Sequence, residues 1–79
     1  MRVVLERTFL TTASGTRVID ARPEYVTVEA NSLPAAIIAF VEQDHGRVLG
    51  TISEVTNQRA VATAWKNRLY ILSAEPARE

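Results

Sequence analysis

Apolar and polar positions alternate with a period of two over most of this chain, and the rhythm breaks once. From Arg2 to Thr11, Val3, Leu5 and Phe9 share one parity while Val4, Glu6 and Thr8 share the other. That is the pattern of a half-buried strand. Arg7 falls on the apolar parity, so it either snorkels at a sheet edge or marks a slip in the alternation. Thr12-Ala13-Ser14-Gly15 is a turn cluster, and a short strand is expected at Arg17-Val18-Ile19. Arg22-Pro23 interrupts the pattern, because proline lacks a backbone donor and restricts the residue before it. Tyr25 to Ala30 reads as the next strand, with Val26, Val28 and Ala30 on one side.

The break in the rhythm is a helix. Asn31-Ser32-Leu33-Pro34 opens it, because Ser32 or Asn31 can accept from a first-turn amide and Pro34 is tolerated there. Leu33, Ala36, Ile37, Phe40 and Val41 form one stripe at helical spacing. His45-Gly46 closes it, with Gly46 suited to the left-handed position after the end. Protonated His45 favours the negative end of the helix dipole, whereas Asp44 opposes it. Ile38 lies off the stripe, as part of a wide apolar face or as an exposed anchor for a partner.

Beyond the helix the period of two returns. Arg47 to Thr56 reads as a strand whose parity shifts near Gly50, where a bulge is expected. Ala60 to Trp65 sets three alanines against Val61, Thr63 and Trp65, and the alanine face would let a helix approach closely. Turns at Thr56–Arg59 and Lys66–Arg68 make this half an antiparallel meander that ends in a strand from Leu69 to Ser73. Residues 74–79 read as a flexible tail. The expected fold is α+β: an antiparallel sheet of four to five strands with one helix packed on one face. Its expected core is Val3, Leu5, Val26, Val28, Leu33, Ile37, Phe40, Val41, Ile52, Leu69 and Ile71.

Composition narrows this further. At 79 residues, 1–79 is a single small domain, and it has no cysteine to reinforce it. Glu6 and Arg7 interrupt the apolar start, so no leader is expected, and no stretch is long enough to span a membrane. These features fit a cytoplasmic protein. Nine basic and nine acidic residues cancel, whereas a protein that coats nucleic acid usually has a basic excess. The acids concentrate early: residues 1–45 hold six against four arginines.

Candidate chemistry is sparse. His45 is the single histidine, and Gly46-Arg47-Val48-Leu49-Gly50 matches neither a phosphate-binding loop nor a dinucleotide fingerprint. Ser14, Ser32, Ser53 and Ser73 have no base near them in sequence. No enzyme, cofactor or metal is expected. Tyr25, Trp65 and Tyr70 with Arg59, Lys66 and Arg68 allow a single-stranded nucleic-acid reading, which needs aromatic platforms on a basic sheet. An oligomeric interaction module built on an edge strand or on Ile38 is a third possibility.

From Tyr25 to Leu72, Val28-Glu29-Ala30 ends a strand and the alanine-containing helix follows. His45-Gly46 then leads into a strand ending Ile52-Ser53-Glu54-Val55, and two further strands with Trp65 complete the order. In this order the chain resembles the small phage-encoded anti-CRISPR proteins that act on type I surveillance (Cascade) complexes. It departs from their pattern at Pro34 and Gly50. The resemblance implies a cofactor-free inhibitor in the bacterial host cytoplasm, a monomer or weak dimer. Such an inhibitor binds protein subunits along the DNA path, blocking target DNA binding or nuclease recruitment. Because that path is rich in lysine and arginine, the resemblance points to Glu6, Asp20, Glu24, Glu29, Glu42 and Asp44, with Ile38, as contacts. Arg59, Lys66 and Arg68 form a competing basic patch.

Overall fold

A long first strand organises the sheet. The computed structural model describes residues 1–13, 16–19 and 22–78, with side chains described at 1–10 and 22–78. The elements in chain order are β1 (Arg2–Ala13), β2 (Thr16–Ile19), β3 (Glu24–Glu29), α1 (Leu33–Gln43), β4 (Arg47–Ser53), β5 (Gln58–Thr63) and β6 (Leu69–Pro76). The strands β3-β1-β6-β5-β4 form one antiparallel sheet, and β2 pairs with the far end of β1 at Leu10–Ala13. Helix α1 lies across β1, β6, β5 and β4 on one face, and a short 3-10 turn at Trp65–Asn67 joins β5 to β6. This is the expected α+β architecture.

The helix is held at both ends by local chemistry. Ser32 Oγ accepts from the Ala35 amide at 3.2 Å. At the other end the His45 amide donates to Glu42 O at 3.0 Å and the Gly46 amide to Val41 O at 3.1 Å. These two bonds make a Schellman closure, in which the residue after the cap is left-handed. That residue is His45, with φ of 56°, and not Gly46 as expected. The glycine has another task. A Cβ on Gly46 would stand 1.5 Å from the Thr63 carbonyl oxygen, so only glycine lets the chain pass this close to β5.

Packing volume decided which strand faces point inward. Val3, Leu5, Ile37 and Val41 are buried as expected, with Val28, Leu33 and Phe40 packed against them. In β6, however, Tyr70, Leu72 and Ala74 are buried, whereas Leu69 and Ile71 point to the other face. Each large β6 side chain lies across from a small one on β5: Leu72 from Ala60, and Tyr70 from Ala62. The alanines make room for the helix above them. Ile52 is 66 % exposed because the register shifts between Val48 and Gly50, which leaves Leu49 as the extra residue. That bulge brings Thr51 to the helix face in place of Ile52. Val26 is 40 % exposed on the outlying strand β3.

The end of the chain also differs from expectation. Residues 74–76 are not a loose tail but continue β6. Ala74 is fully buried opposite Leu5, Pro76 pairs with Val3, and the Ala77 amide donates to Arg2 O at 3.0 Å. Ser73-Ala74-Glu75 is one more out-in-out alternation, with a residue small enough to look like coil in sequence.

Candidate binding surfaces

Arg7 is the residue that the alternation singled out, and it neither snorkels away nor slips the register. It stays on the helix face, opposite Glu24 on β3. Its Nη2 donates to Glu24 Oε2 at 2.6 Å, and its Nη1 to Asp44 Oδ2. The guanidinium carbon lies 4.8 Å from the Phe9 ring centre, 5.0 Å from Phe40 and 5.2 Å from Tyr70. Burial disfavours the arginine's charge, but the two carboxylates outweigh it and raise its pKa above the ordinary value. Tyr70 Oη is buried without a well-formed hydrogen bond, and burial raises its pKa while the Arg7 charge opposes that rise.

This cluster explains Asp44, which works against the helix dipole at the C-terminus. Arg7 supplies the positive charge that the helix end lacks. Glu24 and Asp44 are therefore brought together as part of the fold's own charge balance. The other acids stand apart from them. Glu29 lies 3.8 Å from Arg2 and 3.7 Å from the terminal amine. Glu42 is exposed on the helix, and Ile38 is exposed on the helix flank beside Val48 and Thr51 of β4. Asp20 lies outside the described residues.

The face of the sheet opposite the helix carries Glu6. Its register neighbours are Tyr25 on β3 and Ser73 on β6. The Tyr25 hydroxyl is hydrogen-bonded to Glu6, which raises the tyrosine's pKa. Asn57 and Arg59 border the same shallow depression. Toward β4 the face turns apolar through Ile71, Val61 and Ile52. Tyr25 is 65 % exposed on the end strand β3, so this face offers a ring at that edge and aliphatic side chains toward β4. The resemblance pointed to Glu6, and alternation set Val61 opposite the alanine face, but neither supplied Ile52 or Ile71, because their facing depended on the bulge and on the β6 register.

The basic trio does not form one patch. Arg59 lies on the uncovered face, 3.5 Å from Glu54. Lys66 and Arg68 are at the far end of the sheet, where Arg68 stacks 4.0 Å over Phe9. Trp65 is there too, 64 % exposed and edge-to-face with His45 at 5.7 Å. Among the described residues, no group of three or more histidine, cysteine or acidic side chains is placed to hold a metal ion. Among them, too, no helix is long and apolar enough to cross a membrane. No protein-family model, curated protein or solved structure was found to match the chain.

Proposed function

We propose that the chain acts by binding, and that it is an inhibitor of a type I CRISPR surveillance complex, acting through the uncovered face of its sheet. The class of partner comes from the order of elements. The observation that carries the binding reading is the uncovered face itself. Tyr25, Val61 and Ile52 are exposed there beside Glu6 and Arg59. Aromatic and aliphatic side chains interleaved with charged and polar groups are what a protein interface presents. Glu6 is the acid that this reading favours, because Glu24 and Asp44 are held by Arg7. Its carboxylate would pair with the lysines and arginines that line a DNA path.

The test is to mix the protein with assembled type I complexes, measure co-elution, and then measure target-DNA binding. Co-elution with loss of DNA binding is expected. Glu6→Arg should weaken association by roughly tenfold while leaving the fold intact. Co-elution with DNA binding retained would shift the reading to blocked nuclease recruitment. No association with any subtype would remove it. One observation favours a second reading: Trp65 is exposed beside a depression that Lys66 and Arg68 also line, a platform of the kind that stacks single-stranded bases. Steeply salt-dependent binding to free DNA or RNA would select that reading.

A further inference from the structure

Strand β4 ends the sheet and, among the described residues, pairs with β5 alone. An end strand leaves a row of backbone N–H and C=O groups unpaired, and natural edges are commonly blunted by charge, proline or a bulge. Val48–Ser53 contains no charge and no proline, and the bulge at Leu49 leaves Gly50–Ser53 regular. Apolar side chains flank this edge on both faces. Ile52 is exposed on the uncovered face, and Ile38 stands beside Thr51 on the helix side. Gly50 is an independent observation. A Cβ built there meets nothing within 4 Å, and the backbone is not left-handed. Gly50 adjoins the bulge, and the open space at its missing Cβ leaves room for another chain to come close.

We infer that two copies of this chain pair through β4, antiparallel about a two-fold axis at Thr51. This register sets Thr51 against Thr51, a favourable cross-strand pair. Ile52 of each copy lies across from Gly50 of the other, where the missing Cβ leaves room for it. Arg47 of one copy approaches Glu54 of the other, so no like charges are opposed. The other end strand, β3, carries Glu24 and Glu29 at its two ends, and antiparallel self-pairing would set these acids against each other. The two-fold consumes the β4 edge, and assembly stops at two copies. The regular stretch is short, so the dimer is weak and depends on concentration.

This inference does not depend on the partner reading above, and its test uses the free protein alone. Sedimentation equilibrium from micromolar to millimolar protein should show a mass rising from 8.7 kDa toward twice that value. Thr51→Lys places two ammonium groups at the axis and should raise the dissociation constant by roughly tenfold or more. Thr27→Lys, on β3, should leave it unchanged. Both positions are exposed, so the folded spectrum should persist. In the unaltered protein, amide exchange at Gly50–Ser53 should slow as concentration rises. A single-chain mass at every concentration would overturn the inference. So would a dimer that Thr51→Lys does not weaken and whose β4 exchange ignores concentration.

Discussion

Arg7 shows how one residue out of pattern can organise its neighbours. Its side chain is 16 % exposed, yet its two carboxylate partners remain partly in water. The cost of removing it should therefore fall below the 3–5 kcal/mol typical of breaking a fully buried pair. Arg7→Ala is expected to lower stability by about 2 kcal/mol, because Glu24 and Asp44 lose their cation and three rings lose a packing partner. Arg7→Lys keeps the charge but not the planar fork that meets both acids and stacks on the rings, and should cost about 1 kcal/mol. Urea unfolding of the two variants checks both the order and the sizes. In sequence, Arg7 was visible as an anomaly. Its partners were not, because Glu24 reaches it through the β1–β3 register and Asp44 through the docking of the helix.

At the scale of elements, the two glycines around β4 make opposite demands. Gly46 lies against the Thr63 carbonyl, so Gly46→Ala must push the helix exit away from β5. That change should cost at least about 2 kcal/mol. Gly50 faces open space, so Gly50→Ala should be neutral or stabilise the single chain by about 0.5 kcal/mol, since it restricts the unfolded backbone. Thermal unfolding of dilute samples separates the two cases. Both glycines stand out in sequence, and the bulge beside Gly50 was legible as a clash of parities. The role of Gly46 was not, because helix-end rules place glycine in the left-handed position that His45 takes. The close pass to β5 is a tertiary contact and outweighs that local preference.

For the molecule as a whole, the C-terminal strand decides how little chain can be lost. Removing residues 77–79 deletes one backbone bond to Arg2 and should cost about 1 kcal/mol. Removing 74–79 also takes the buried Ala74 and the pairing of Pro76 with Val3. A domain this small has little reserve, so the longer truncation should be largely unfolded at room temperature by circular dichroism. The whole-molecule view also orders the charged residues. Glu24 and Asp44 serve the fold, Glu29 serves the start of β1, and Glu6 stands on the uncovered face with Tyr25. In sequence these acids look alike, and only their placement separates them.

The local periods by themselves determined the element types, the helix stripe, an N-cap at Ser32 or Asn31 and the antiparallel order of the later strands, because each depends on neighbours a few positions apart. The tertiary structure alone decided which side of β6 faces the helix. Leu69-Tyr70-Ile71-Leu72 is apolar at every position and offers no parity to read. The choice fell to volume: Tyr70 and Leu72 fit across from Ala62 and Ala60 beneath the helix, which leaves Ile71 with Ile52 and Val61 on the uncovered face. The binding surface proposed for this protein is therefore a by-product of core packing, and no short stretch of the chain encodes it.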